Sequence, residues 1–144
     1  MRRNNLILAN TNSTAVKLHL DPITGANAIT GHGQGYIAIN GNKIGNSAIV
    51  LPEKIIDPWV TAASPAAAQT LCIADFAALL ALKPELVVFG SGAAFHFPDR
   101  SVITEFSKAR IGFEVMDTPA ACRTYNVLMS EGRRIAAALL IGFG

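Results

Sequence analysis

The stretch IGFEVMDTPAACRTYNVLMSEGRRIAAALLI, residues 111–141, reads as a strand, a capped helix and a second strand. Gly112 opens a strand over Phe113 to Met116. Asp117-Thr118-Pro119 then starts a helix that runs to about Ser130, and Gly132 leads into a strand from Arg134 to Ile141. Thr118 suits the N-cap, Pro119 the first helical position, where its missing N–H costs nothing, and Asp117 the positive end of the helix dipole. Capping leaves Arg123, Tyr125 and Asn126 without an explanation. A cation near a helix N-terminus calls for an acidic partner, such as Asp117 or Glu114, or for an anionic ligand.

Upstream, Leu86-Val87-Val88-Phe89 is a continuous apolar run, the form of a strand covered on both faces. Gly90-Ser91-Gly92 terminates it, Phe95-His96-Phe97-Pro98 follows as an irregular segment, and Ser101 to Ala109 presents Val102, Ile103 and Phe106 as a helix. A further helix over Ile73 to Leu82 precedes the strand, with Asp75 at its start and Pro84 beyond its end. Strands joined by helical crossovers lie parallel. The first half reads as antiparallel. Val16 to Leu20 and Tyr36 to Ile39 alternate with period two, Asn40-Gly41 is a type I′ hairpin signal, and the return strand is expected over Lys43 to Leu51. Lys54 to Val60 is a further strand that Pro58 confines to an edge. The expectation is one α/β domain over residues 16–144, with helices flanking a mixed sheet, a parallel βαβαβ C-terminal half and antiparallel N-terminal strands. Residues 1–15 are expected to form a flexible N-terminus.

Composition narrows the function classes. The chain has 144 residues, 51% hydrophobic and 15% charged, with 12 basic and 10 acidic side chains. That length supports one real core, burying about 68% of the unfolded surface. The dispersed basic residues make no nucleic-acid footprint. The apolar run Ile135 to Ile141 falls far short of the ~20 residues of a membrane span. Cys72 and Cys122 form no CxxC, and His19, His32 and His96 have no metal-ligand spacing, so no metal site or cofactor is implied and a reducing, cytoplasmic setting is expected.

Gly90-Ser91-Gly92 stands where open α/β sheets bind ligands, at the carboxyl end of a buried strand. It is neither a dinucleotide fingerprint, nor a Walker A loop, nor a nucleophile elbow. Gly31, Gly33 and Gly35 lack the following helix of a phosphate loop. Cys122 beside Arg123 could gain thiolate character, but free cysteine among alanines is ordinarily a small core hydrophobe.

The segments ITGHGQGYIAINGNKI, DFAALLALKPELVVFGSG, the FxFP motif and residues 111–140 together resemble a small α/β family of unknown function. That family includes the mitochondrial complex I assembly factor 3 and the adipogenesis-associated domain protein of animals, and the resemblance runs from about Val16 to Ile141. It implies a three-layer fold around a central mixed sheet and no catalytic assignment. The positions it marks as a surface site are Gly90, Gly92, Phe97, Pro98, Asp117, Thr118, Arg123, Tyr125 and Asn126, with Ser91 standing where relatives often carry Thr. The expected function is that of a non-enzymatic binding or assembly module with a crevice near Gly90–Gly92 and Asp117–Asn126. Its partner would be an unidentified protein or a small anionic ligand. The alternative is a small enzyme using Cys122 or Asp117 in the same crevice.

Overall fold

The chain forms two hydrogen-bonded sheets, a small one within residues 16–44 and a large one within residues 48–139. A computed structural model describes residues 16–17, 25–60 and 67–141, with the backbone alone at 16–17 and 67. The expected flexible N-terminus and the strand positions Leu18-His19-Leu20 lie outside the described residues. The smaller sheet is antiparallel and runs in the order β1 (Val16–Lys17), β2 (Ile29–Gly33), β3 (Tyr36–Ile39), β4 (Asn42–Ile44). Asn40 and Gly41 reverse the chain with φ of 51° and 87°, the two positive values the Asn-Gly pair was expected to supply.

The larger sheet has β5 (Ala48–Leu51), β6 (Lys54–Ile56), β7 (Leu86–Gly90), β8 (Gly112–Met116) and β9 (Ile135–Leu139), in the order β6-β5-β9-β7-β8. β7 is parallel to β8 and β9, while β5 is antiparallel to β6 and β9. The mixed sheet is thus present, with its parallel portion from the second half of the chain. The return strand differs from expectation. Lys43 to Leu51 is not one strand: Asn42–Ile44 completes the small sheet, and the chain crosses at Gly45–Ser47 to enter the large one. The reason is burial. Asn42 and Lys43 are exposed, whereas all four residues of β5 are buried and need the covered interior of the large sheet. Ser47 pins the crossing, its carbonyl accepting the Trp59 N–H at 2.6 Å and its hydroxyl oxygen the Ile141 N–H at 3.2 Å. β6 is shorter than the expected Lys54–Val60 and lies at an edge, before Pro58.

Alternation along the central strands divides the core into two faces. Val87, Phe89, Ile49, Ala136, Ala138 and Leu140 face one side, where they meet Phe76, Leu79, Val102 and Phe106. Val88, Val50, Ile135, Ala137 and Leu139 face the other, with Ile29, Ile37, Ala121, Cys122, Tyr125 and Met129. Three layers result. The first holds a 3-10 turn (Ile73–Phe76), α2 (Ala77–Leu82) and α3 (Arg100–Lys108), preceded in the chain by the short α1 (Ala67–Thr70); the second is the large sheet; the third is α4 (Thr118–Ser130) with the small sheet. Phe76 anchors the first interface, its ring centroid 5.2 Å from Trp59, 5.8 Å from Phe89 and 5.7 Å from Phe113. Edge-to-face pairs of this kind add to the area they bury. The helix expected over 73–82 begins as a 3-10 turn, at whose start the Asp75 carboxylate accepts the Cys72 N–H at 2.9 Å. It ends at Lys83, whose φ is 50°. No described helix is long and apolar enough to cross a membrane.

Candidate functional site

The start of α4 is knotted to the ends of β7 and β9. Asp117, not Thr118, is the N-cap: its carboxylate accepts the Ala120 N–H at 2.9 Å, so Thr118 is the first helical residue and Pro119 the second. The Thr118 side chain is engaged elsewhere. Its oxygen accepts the Gly92 N–H at 2.9 Å and its hydroxyl donates to the Leu140 carbonyl at 2.6 Å, while its own N–H reaches the Gly92 carbonyl at 2.8 Å. Such close docking explains Gly90. A Cβ there would lie 2.9 Å from both Cα and Oγ1 of Thr118 and 3.0 Å from Leu139 Cδ2. Gly92 has φ of +103°, a backbone state that side chains disfavour.

Ser91 is buried and shapes the following loop. Its oxygen lies 2.7 Å from the Ala94 carbonyl and 3.2 Å from the Met116 carbonyl, and accepts the His96 N–H at 2.9 Å. Pro98 is buried beyond it, and Asp99 caps α3 by accepting the Ser101 N–H at 3.0 Å. Between these anchors Phe95 and Phe97 stand 52% and 55% exposed, packed edge-to-face at 4.9 Å. The loop therefore displays two aromatic rings from a fixed base.

The expected site residues on α4 separate. Tyr125 is buried, its hydroxyl donating to the Asn27 carbonyl at 2.7 Å, and burial, with a smaller push from Glu53, holds its pKa above the ordinary value. Asn126 is buried too. Its Oδ1 accepts the Ile29 N–H at 2.9 Å and its Nδ2 donates to the Ile29 carbonyl at 2.8 Å, so the amide pairs with β2 as a neighbouring strand would. Arg123 is exposed and forms no hydrogen bond or ion pair among the described residues; the pairing with Asp117 or Glu114 is not made. Cys122 is fully buried, and desolvation pushes its thiol up to about 12, with Arg123 pulling down and Asp117 pushing up by less. It is protonated at neutral pH.

A cleft of about 300 Å³ opens between the two sheets, walled by the β2–β3 hairpin from His32 to Ile37, by Gly92 and Ala93, by Thr118 and Pro119, and by Ile141. Of the expected residues, Gly92 and Thr118 line it. Arg123 stands one helical turn beyond Pro119, the spacing that puts two side chains on one face. His32 is half-buried in the wall. Burial first, then the nearby Arg123 guanidinium, hold its pKa below the ordinary 6.5, and the Asp117 carboxylate opposes them. Sequence reasoning missed His32, Gln34, Tyr36 and Ile141 as cleft residues. Gly33 makes room for one of them: a Cβ there would lie 2.5 Å from the Tyr36 ring, so this glycine admits the tyrosine against the hairpin. Among the described residues no group of three or more His, Cys, Asp or Glu is arranged to hold a metal ion.

Comparison with known proteins bears out the resemblance. The chain is 38% identical over 102 residues to the NADH dehydrogenase [ubiquinone] 1 alpha subcomplex assembly factor 3 of Danio rerio, a match covering 71% of this chain and 57% of that protein. It thus spans little more than half the length of that relative. A crystal structure from Bordetella parapertussis superposes with a TM-score of 0.72 at 33% identity, covering 83% of this chain and 99% of that one. A solution structure from Bordetella pertussis, described as a Mth938-like domain, gives a TM-score of 0.70 at 30% identity, covering 87% and 92%. With residues 29–140 matching its family model, the chain belongs to the proteins of unknown function grouped as DUF498/DUF598.

Proposed function

We propose that this protein is a non-enzymatic binding module that serves the assembly of a protein complex, and that it holds its partner at the cleft between the two sheets. The observation that carries the reading is the pairing of that cleft with Arg123, an exposed guanidinium that has no counter-ion among the described residues and lies one helical turn from the wall residue Pro119. An apolar hollow with a few polar groups at its rim is the usual form of a recognition site. Phe95 and Phe97 follow the wall residue Ala93 in the chain, and exposed aromatic residues on a fixed loop are effective interface anchors, because little side-chain freedom is lost on binding. The name of the Danio rerio relative, an assembly factor, supports a protein partner.

Chemistry on the substrate finds little support. The Cys122 thiol is buried and protonated, and the Asp117 carboxylate caps α4. The two cysteines are free, one exposed and one buried, which suits a reducing compartment such as the cytoplasm. Of the ten residues expected to bind, Arg123, Phe97 and the wall residues Gly92 and Thr118 would touch the partner. Gly90, Ser91, Pro98 and Asp117 would hold the floor and the loop, and Tyr125 and Asn126 the small sheet.

The test is affinity purification of the tagged protein from its own cells, beside Arg123→Ala and Phe97→Ala variants. A companion protein retained by the wild type and lost by both variants, with unchanged unfolding temperatures, is the expected result. The same companion in all three samples would move the interface away from the cleft.

A further inference from the structure

A small apolar hollow stands beside the exposed guanidinium of Arg123, and that pairing restricts what can fill it. At about 300 Å³ it stands at the small end of ligand pockets, enough for one side chain and too little for a helix face. Ile37, Pro119, Ala93 and Ile141 supply apolar wall, and the exposed Gln34 stands at the hairpin turn. The charged or titratable groups near the hollow are Arg123, Asp117, His32 and Lys43, whose ammonium lies 4.6 Å from the centre of the Tyr36 ring. Asp117 directs its carboxylate onto the Ala120 N–H. His32 is half-buried and favours the neutral ring. Arg123 is left as the cation without a partner among the described residues, and a guanidinium binds a carboxylate through two parallel hydrogen bonds.

Resting on the reading of the cleft as a partner site, we infer that it receives the C-terminal residue of a partner polypeptide, with the apolar side chain in the hollow and the terminal carboxylate on Arg123. A chain end is the peptide element that carries an apolar side chain and a carboxylate on the same Cα, which suits a cation one helical turn from the hollow. Capture of a C-terminal carboxylate is a recurrent mode of peptide recognition.

The experiment is a titration of the ¹⁵N-labelled protein, followed by NMR, with three probes: N-acetyl-phenylalanine, its amide, and an N-acetyl-phenylalanyl-aspartate amide that carries an internal carboxylate. Saturable shifts are expected at the Gly33, Gly92 and Ala93 amides with the free acid. Affinity should fall about tenfold or more for the neutral amide, the scale of a hydrogen bond to a charged group. Arg123→Ala should bring the acid down to the level of the amide while leaving the unfolding temperature unchanged. Equal binding of acid and amide by the wild type, or no saturable shift at the cleft, overturns the inference. Equal binding of the internal acid overturns the preference for a chain end. If every probe fails while the companion protein is still lost in the Arg123→Ala pull-down, the chain-end inference falls and the partner site stands.

Discussion

Asn126 is the residue at which a structural role and a binding role make opposite predictions. It is 2% exposed, and its amide meets both polar groups of one β2 residue, Ile29, at 2.9 and 2.8 Å. The pairing also fixes which way the amide points, since an N–H and a carbonyl face it side by side. In Asn126→Ala the Ile29 N–H and C=O lose their side-chain partner inside the protein. Each orphaned buried group costs about 1–3 kcal/mol, so the pair should cost about 2–6 kcal/mol, a large share of a native stability of about 5–15 kcal/mol. In a domain of this size each kcal/mol moves the midpoint by about 2–5 °C, so thermal unfolding should shift downward by about 4–30 °C. Asn126→Asp should fare no better, because it keeps an acceptor for the N–H but offers the carbonyl no donor and buries a charge. Thermal and urea unfolding monitored by circular dichroism would give the value, with Arg123→Ala as the surface control expected within about 0.5 kcal/mol of wild type. A loss below about 1 kcal/mol in Asn126→Ala would refute the reasoning, since the two hydrogen bonds would then be dispensable.

Gly90→Ala should destabilise by about 1–3 kcal/mol, because the new Cβ would press on the Thr118 backbone, which cannot swing aside as a side-chain tip can; an unchanged urea midpoint would contradict the close docking. Under native conditions a thiol reagent should modify exposed Cys72 readily and buried Cys122 only as the protein unfolds, which mass spectrometry of the labelled chain would show. Comparable labelling of both would place Cys122 at the surface. His32 makes a prediction in pH. Its folded pKa lies below the ordinary 6.5, so on acidification the unfolded chain takes up a proton before the native ring does, and stability falls as the pH drops through 6.5 toward the folded value. His32→Gln should flatten that fall between about pH 7 and 5, and an identical slope in both proteins would show that other groups set it.

The parallel half of the fold was legible because its signals are local. Leu86–Phe89 is apolar throughout, Asp117-Thr118-Pro119 marks a helix start, and glycines end the strands. The split between β4 and β5 was not legible, since Gly45-Asn46-Ser47 carries no feature that says which sheet the next residues join. Asp117 took the cap expected of Thr118, whose hydroxyl is engaged with Gly92 and Leu140, far away in sequence. Tyr125 and Asn126 were readable after all. Together with Cys122 and Met129 they fall at helical spacings of three and four, which put polar side chains in the buried stripe and so implied hydrogen-bond partners. Those partners, Asn27 and Ile29, are 98 and 97 residues away. The hairpin wall of the cleft was not legible for the same reason, because the hairpin, loop, helix start and strand end meet only in the folded chain.

The position of β9 governs the order in which the molecule can be completed. β9 lies between β5 and β7, so the β5–β6 hairpin and the β7–β8 pair share no ladder until the strand that follows them all in the chain has slid between them. During synthesis the four earlier strands must therefore wait with unpaired edges, a state that invites association with other chains. The alanines of β9 are fully buried, between the first helical layer on one face and α4 with the small sheet on the other.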